Sequence, residues 1–200
     1  MFFKIIAPFY DRFMQLVKMD HSEKIAEYLA PVKDMDLLDM GGGTGMNAVP
    51  LVQAGARVTV VDSSEAMLSR AEAKGIKAKL IRADASASLP LPDSSFDIIL
   101  ISDAWHHFRQ QERVIDEIVR LLRPEGRLYL IDFDQKKLRT KYLSILEKLL
   151  GEPSTFWTPE ELTIAFKDRG IQGDFKYITS NQFLYWGVNK PPGNIESGYV

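Results

Sequence analysis

The chain has 200 residues, of which 46% are hydrophobic and 26% charged, and its formal net charge at pH 7 is −2. This length and composition predict a single domain, residues 1–200, with one substantial hydrophobic core. The slightly acidic balance excludes the general basic field by which many nucleic-acid-binding proteins attract phosphate, so we expect no nucleic-acid partner. The absence of cysteine excludes disulfide bonds and thiolate metal ligands.

Residues 1–33 are predicted to form a helical cap. The apolar start at residues 1–8 is interrupted by a lysine and a proline and is too short for a secretory leader or a membrane span. We therefore expect a cytoplasmic protein without an integral membrane segment. A helical pattern then begins at Ser22 and ends at Pro31.

Strand and helix patterns alternate through the middle of the chain. Because parallel strands need crossover connections, this alternation predicts an α/β fold whose mostly parallel sheet has helices on both faces. The predicted strands lie near residues 37–40, 58–61, 79–82, 96–101 and 127–132, and the predicted helices near 46–54, 65–74 and 110–122.

Residues 133–200 follow a different order of elements. An amphipathic helix is predicted at 135–150, and a capping box that starts at Thr158 predicts a second helix to about Lys167. Two strand-like runs, 175–179 and 182–188, are separated by a tight turn, which only an antiparallel hairpin allows. The apolar face of the first helix comprises Tyr142, Ile145, Leu146, Leu149 and Leu150.

The first predicted strand runs into a glycine-rich turn, Asp39-Met40-Gly41-Gly42-Gly43-Thr44-Gly45. Glycine lets a ligand approach the main chain closely. The second strand ends at Asp62, whose carboxylate can accept hydrogen bonds from two vicinal ribose hydroxyls. These features predict a nucleoside-cofactor site. A dinucleotide loop of the form G-x-G-x-x-G fits less well, because Met46 stands where its third glycine would be.

The glycine-rich segment resembles motif I of the class I S-adenosylmethionine-dependent methyltransferases. Later segments are similar to further motifs of the small-molecule branch of that family, including the quinone-biosynthesis methyltransferases, and they occur in the family's order. The resemblance covers residues 34–132 and implies a cofactor-binding core of Rossmann-like methyltransferase fold, with seven strands and a C-terminal antiparallel hairpin. The similar segments are Leu80–Ala85, Leu89–Asp97, Ser102–Phe108 and Leu121–Leu130, and in the last of them Glu125 replaces the family's usual glycine.

The resemblance also implies which residues hold S-adenosylmethionine and its product S-adenosylhomocysteine. Asp39 and the glycine loop would lie along the methionine part of the cofactor, and Asp62 would hold the ribose. Asp84 and Ala85 would face the adenine. The remaining implied cofactor-binding residues are Gly41, Gly42, Gly43, Gly45, Ser63, Met67, Ser102 and, in an N-terminal Tyr-Asp segment, Tyr10.

His106 and His107 follow the fourth predicted strand, at the sheet edge where the transferred methyl group should lie. Either imidazole could take a proton from the acceptor near neutral pH, and capping or packing is the alternative role for both. We expect neighbouring imidazoles to point in different directions, so that at most one faces the substrate. For the same reason no metal ion is expected.

A magnesium site of the catechol-methyltransferase kind, at Asp103, Asp132 and Asp134, is also not expected. The asparagine of that pattern is missing from this chain.

Two further groups of residues have open interpretations. The aromatic residues after the fourth and fifth strands could wall an apolar substrate pocket or could pack in the core. The basic cluster Lys136–Lys141 could be a solvated helix start, a nucleic-acid contact or a membrane-surface contact. The aromatic residues are Trp105, Phe108, Phe133, Phe156 and Trp157.

The function predicted is methyl transfer to an O, N or C atom of a small, apolar or aromatic molecule, with the oligomeric state left open. The alternative is a non-catalytic S-adenosylmethionine-binding protein of the same fold that acts as a partner subunit. A nicotinamide oxidoreductase is disfavoured by the glycine spacing and by the C-terminal hairpin.

Overall fold

A computed structural model describes residues 6–16, 22–151 and 154–190 of the chain. Part of the apolar N-terminal segment, residues 1–5, therefore lies outside the described residues. The strands are β1 (Asp36–Met40), β2 (Arg57–Asp62), β3 (Lys79–Arg82), β4 (Phe96–Ser102), β5 (Leu122–Phe133), β6 (Ile171–Tyr177) and β7 (Gln182–Asn189). The helices are α1 (Tyr10–Leu16), α2 (Ser22–Leu29), α3 (Ala48–Gln53), α4 (Glu65–Ala73), α5 (Gln111–Leu121), α6 (Leu138–Leu149) and α7 (Pro159–Lys167), with 3₁₀ turns at Ala7–Phe9 and Trp105–His107.

All seven strands form one sheet in the order β3-β2-β1-β4-β5-β7-β6. Strands β1 to β5 are parallel, whereas β7 pairs antiparallel with both β5 and β6. The predicted fold class is confirmed, including the C-terminal hairpin. The chain leaves β1 towards β2 and β3 and returns on the other side of β1 as β4, which opens a crevice at the carboxyl ends of β1 and β4.

The sheet is covered on both faces because the middle residues of its central strands, such as Leu37-Leu38 of β1 and Ile98–Ile101 of β4, are apolar and buried. Adjacent residues of a strand point to opposite faces, and Leu37 and Leu38 accordingly belong to two different hydrophobic clusters. Helices α2 and α3 pack on the Leu37 face, and helices α5 and α7 pack on the Leu38 face. The apolar stripe of α5 is fully buried and comprises Val114, Ile115, Ile118 and Leu121.

A network of charged groups fixes the loop that connects β3 to β4. The Arg120 guanidinium donates to the Leu91 carbonyl at 2.9 Å and to the carboxylate of Glu117. Glu117 in turn accepts the Leu89 N–H at 2.7 Å. Because Glu117 is buried, its pairing with Arg120 keeps the charge satisfied, and the loop stays against α5.

Three elements begin three or more residues away from the predicted start. Strand β6 begins at Ile171 rather than 175, because it is an edge strand whose outer residues are mostly exposed and show no alternating pattern. Strand β5 begins at Leu122, ahead of a bulge that separates its pairing with Phe96 from its pairing with Ile98. Helix α6 begins at Leu138 and turns its apolar face outward.

Glu125 lies in this bulge with φ +61°, in the left-handed region that favours glycine. The glycine that the family usually has at this position would adopt this φ angle without strain.

We expect Glu125→Gly to raise the free energy of unfolding by about 1 kcal/mol, because relief of backbone strain outweighs the loss of an exposed ion pair with Lys190. Urea denaturation measures the change. Lys190→Ala removes the ion pair alone and should change stability little, and a destabilised Glu125→Gly protein would contradict the strain argument.

Candidate active site

A cavity of about 390 Å³ lies at the carboxyl ends of β1 and β4, where the strand order reverses. Its size is within the range of small-molecule and cofactor sites. Ten of the twelve predicted cofactor-binding residues line it; Asp39 and Gly45 do not. The wall comprises Tyr10, Met14, Gly41, Gly42, Gly43, Thr44, Met46, Asn47, Val61, Asp62, Ser63, Ser64, Met67, Ala83, Asp84, Ala85, Ser102, Asp103, Ala104, His107, Phe108 and Arg109.

The glycine loop forms one wall of this cavity, and two of its glycines are required for different reasons. A Cβ on Gly42 would lie 2.6 Å from the Asp39 carboxylate, so the backbone there packs directly over that side chain. Gly43 has φ +55°, and a Cβ there would meet only an Asp62 oxygen at 3.9 Å. Because Gly43 lines the cavity, any side chain at this position would take up space that a ligand needs.

Asp62 ends β2 and is held in a fixed orientation. One carboxylate oxygen accepts the Gly43 N–H at 2.9 Å and the other accepts the Ser64 N–H at 2.7 Å. Burial raises the pKa of this carboxyl, and the two backbone hydrogen bonds oppose that shift. Each oxygen keeps acceptor capacity on the cavity side, so the arrangement suits a pair of vicinal hydroxyls.

Asp39 is buried beneath the loop, with 1% of its surface exposed. Neither carboxylate oxygen has a hydrogen-bond partner among the described residues. Burial, together with the negative charge of Asp62, raises the pKa of Asp39 to about 7. A cationic group bound in the cavity would stabilise the ionised form of this carboxyl.

The remaining predicted cofactor residues come from three elements around the cavity. Ser63 and Met67 lie at the start of α4, and Ser102 is the last residue of β4. Asp84 follows β3 and accepts the Ser86 N–H at 2.8 Å, which holds its carboxylate in place beside Ala85.

Helix α1 covers the cavity with Tyr10 and Met14, which are one helical turn apart and share a face. The helix is attached through Asp11, whose carboxylate accepts a hydrogen bond from the Thr44 hydroxyl and pairs with Lys74. The sequence prediction missed Met14, although its spacing from Tyr10 gave a usable signal. It also assigned no role to Thr44.

The two histidines lie in different environments. His107 lines the cavity, whereas His106 lies outside the cavity wall. The His106 Nδ1 atom is 2.7 Å from Asp132 and its Nε2 atom is 3.6 Å from Glu147 on α6. Burial lowers the pKa of His106, but the charges and hydrogen bonds of the two carboxylates outweigh burial and raise the pKa to about 10.

The expectation that neighbouring histidines diverge differs from the observed geometry. The ring centroids of His106 and His107 are 4.0 Å apart. One nitrogen of each histidine and one carboxylate oxygen of Glu147 lie within 4.8 Å of one another. Imidazole nitrogens and carboxylate oxygens are the atom types that bind a metal ion such as zinc. The chain reversal in the 3₁₀ turn brings the two rings to one side. The pairing of His106 with Asp132 and Glu147 accounts for the same cluster as a set of ion pairs.

Asp103, Asp132 and Asp134 do not converge on one point within the described ranges of the chain. Asp103 accepts from the Gln182 amide at 2.9 Å, and Asp134 accepts from the Tyr177 hydroxyl at 2.7 Å. Burial, together with the nearby Asp132 charge, raises the pKa of Asp103 to about 7. Each of the three carboxylates therefore serves a separate contact.

Most of the aromatic residues considered as a substrate wall pack in the core instead. The Trp105 ring contacts the rings of Trp157 and Phe108 edge-on at centroid distances of 5.5 and 6.1 Å. Phe156 stacks on His106 at 4.5 Å. Of this set only Phe108 lines the cavity, next to Arg109, which the sequence prediction also missed.

The raised pKa of Asp39 predicts a pH-dependent stability difference. The folded state binds the proton more tightly than the unfolded chain, so this group's contribution to the free energy of unfolding falls as pH rises to about 7. Relative to wild type, Asp39→Asn should gain about 2–4 kcal/mol between about pH 4 and about pH 8. Urea denaturation across this pH range measures the difference. The exposed Asp168→Asn is the control, and parallel curves for wild type and Asp39→Asn would contradict the assignment.

Comparisons with known proteins match this architecture. Residues 38–130 match a family model described as a methyltransferase domain. The demethylmenaquinone methyltransferase of Clavibacter sepedonicus is 32% identical over 138 residues, which span 66% of this chain and 56% of that protein. The demethylmenaquinone methyltransferase of Thermus thermophilus is 33% identical over 144 residues, which span 66% of this chain and 64% of that protein. The match thus spans less than two thirds of either relative.

Solved structures agree over most of the chain. A chain from the Haloferax volcanii complex of the Trm112 methyltransferase activator with a methyltransferase has a TM-score of 0.80 and 20% identity, covering 94% of this chain and 98% of that chain. Magnesium protoporphyrin IX methyltransferase from Synechocystis PCC 6803, solved with bound SAH, has a TM-score of 0.70 and 19% identity, covering 91% and 88%. Residues 38–130 are thus similar to methyltransferase domains, and the sheet topology and the solved structures show that the chain has the Rossmann-like methyltransferase fold.

Proposed function

We propose that this protein transfers a methyl group from S-adenosylmethionine to a small, apolar or aromatic molecule. The observation that carries the proposal is the oriented Asp62 carboxylate beside the open backbone of Gly43. The two Asp62 oxygens can accept hydrogen bonds from the ribose hydroxyls. At the same point of the cavity, Gly43 lets the ligand approach the main chain closely. The match of residues 38–130 to a methyltransferase-domain model supports the same chemistry.

The charges around the cavity support a cationic cofactor. Asp62, Asp84 and Asp103 line the wall together with the cation Arg109, and Asp39 lies just beneath it, so that acidic groups outnumber this cation. A negative environment of this kind attracts a sulfonium or ammonium group and repels a pyrophosphate. The residues therefore fit S-adenosylmethionine better than a nicotinamide dinucleotide, which agrees with the glycine spacing.

The cofactor would be held by the residues that line three sides of the cavity. Asp62 would accept from the ribose hydroxyls, and Asp84 and Ala85 would contact the adenine. The glycine loop would lie along the amino-acid part, under the cover of Tyr10. Ser63, Met67 and Ser102 complete the proposed set.

When bound, S-adenosylmethionine supplies a methyl group on a cationic sulfur, which an acceptor atom can attack in line. The protein's residues align the acceptor and exclude water. Phe108, Met14 and Met46 provide apolar surface on the cavity wall. This surface, and the quinone precursors for which two relatives are named, favour an aromatic quinol-type acceptor.

His107 is the histidine that we propose to face the acceptor, since it lines the cavity. His106 is a positioning residue in this proposal. Its raised pKa keeps it protonated near neutral pH, so it cannot accept a proton there. Its bonds to Asp132 and Glu147 fix the turn on which His107 lies.

Calorimetric titration with S-adenosylmethionine, S-adenosylhomocysteine and NAD tests the cofactor directly. We expect binding of both adenosyl compounds and none of NAD. Transfer of a labelled methyl group to a naphthoquinol then tests the acceptor class. Binding without transfer to any small acceptor would favour the non-catalytic partner subunit, and binding of NAD alone would refute the proposal.

Replacing Asp62 with alanine should weaken S-adenosylmethionine binding by roughly 1–3 kcal/mol, because two ribose hydroxyls lose their acceptor. The same titration measures the loss. Glu65→Ala is the matched control, since this nearby carboxylate is exposed and does not line the cavity. Equal affinities of the two variants would show that Asp62 does not hold the ribose.

Gly43→Ala should weaken S-adenosylmethionine binding at least about tenfold, because its Cβ would occupy cavity space. Gly75→Ala provides the control for backbone strain. Gly75 has φ +65° and nothing within 4 Å of an added Cβ, and it lies away from the cavity. Both variants should lose similar stability, about 1 kcal/mol. Normal affinity in Gly43→Ala would contradict the proposed position of the cofactor.

A further inference from the structure

Helix α6 exposes its apolar face. We call this surface the α6 face, and define it by residues three to four apart that share one side of the helix. Tyr142 is 71% exposed and Leu149 is 79% exposed. The full set is Leu138, Tyr142, Ile145, Leu146 and Leu149. In the described residues of the chain, no other helix leaves so long an apolar stripe uncovered.

The opposite side of α6 contacts the body of the protein through polar groups. Thr140 is buried, and Glu147 binds the Ser154 hydroxyl at 2.5 Å and approaches His106. A second cavity of about 570 Å³ lies along the Lys141 flank of α6, where residues from Thr140 to Ile145 border residues 154–156. The helix thus reverses the usual arrangement, in which the apolar side packs on the core. An apolar face turned away from the body requires another apolar environment to become covered.

Basic residues flank the α6 face. At about 100° per residue, Lys141 and Lys148 project along one side of the stripe and Arg139 along the other. Lys136 and Lys137 precede the helix, and the only acidic residue of α6, Glu147, is on the inner side. An apolar stripe between cationic flanks is typical of helices that lie in the plane of a membrane surface.

We propose that the α6 face lies on the surface of an anionic lipid bilayer. Its apolar side chains enter the boundary between headgroups and acyl chains, and the three cations that flank the stripe, Arg139, Lys141 and Lys148, contact lipid phosphates. Lys136 and Lys137, which precede the helix, pair with Glu160 and Asp134. The inference goes beyond the proposed function and stands on the surface of α6 alone. Within the described residues no helix has the length and hydrophobicity needed to cross a bilayer, so the contact is interfacial.

Charge favours lipid over a second copy of this chain as the occupant. Two copies packed through the α6 face would bring the cationic flanks of one against those of the other, and no acidic residue of the face would compensate them. An anionic lipid surface complements both the apolar stripe and the flanks. Of the three roles that the sequence left open for the basic cluster Lys136–Lys141, this proposal favours contact with a membrane surface.

A second apolar surface lies near the same edge of the sheet. Phe9, Phe13 and Leu16 are exposed on α1 and the turn before it, and α1 covers the cavity through Tyr10. Helix α6 is attached at His106, next to the cavity residue His107. Both helices that carry exposed apolar surface therefore contact residues at or next to the cavity wall.

Sedimentation with lipid vesicles tests the proposal. We expect the full chain to sediment with vesicles of phosphatidylcholine and phosphatidylglycerol, less with phosphatidylcholine alone, and less when salt is added. The double variant Ile145→Ser/Leu149→Ser should partition about tenfold less onto the mixed vesicles. Ile164→Ser is the matched control, because Ile164 is 61% exposed on α7 and should leave partitioning unchanged.

A charge variant separates the two components of the contact. Lys141→Gln/Lys148→Gln should reduce partitioning about tenfold on the mixed vesicles and leave binding to phosphatidylcholine alone unchanged. Circular dichroism and S-adenosylmethionine titration verify that every variant is folded.

Equal partitioning of the Ile145/Leu149 variant and Ile164→Ser, or no sedimentation of wild type, would overturn the proposal. Concentration-dependent dimers that the Ile145/Leu149 changes abolish, without lipid binding, would assign the face to a second copy. Loss of methyl transfer with normal lipid binding would count against the proposed function only.

Discussion

The geometry of the cavity depends on the close contact between the glycine loop and the buried Asp39 carboxylate. The loop must turn within one residue of the end of β1, because the Gly41 and Gly42 N–H groups both bond to the Val61 carbonyl of β2. At Gly42 this leaves no room for a side chain above Asp39. The same turn brings the Gly43 N–H to Asp62, so that one constraint both shapes the wall and orients its principal acceptor.

This arrangement places several carboxylates together at a cost in stability. Asp39 and Asp103 have raised pKa values because burial and neighbouring negative charge disfavour their ionised forms. Buried groups of this kind, without matching cations, are common at functional sites and uncommon elsewhere. A bound cation would offset much of this electrostatic cost. Binding of a cationic ligand would therefore stabilise the folded protein.

The sequence was most informative where a residue type has a single physical use. The glycines, the acidic residues at strand ends and the strand-helix alternation predicted the fold, and ten of the twelve residues predicted to hold the cofactor line the cavity. It was least informative where tertiary contacts decide. Nothing in the order His106-His107 indicates that Asp132 and Glu147 from distant elements hold one ring away from the cavity. The amphipathic pattern of α6 likewise predicts a helix but does not indicate which way its apolar side points.

The polar attachment of α6 has a consequence for how proteins of this architecture can diversify. The cofactor core is constrained by dense apolar packing on both faces of the sheet, where most substitutions create cavities or strain. Helix α6 is joined to that core by a few contacts centred on Glu147. Its outer residues can therefore change without disturbing the folding of the core. During evolution, substitutions on the outer side of α6 would therefore let the same domain bind different surfaces in the cell.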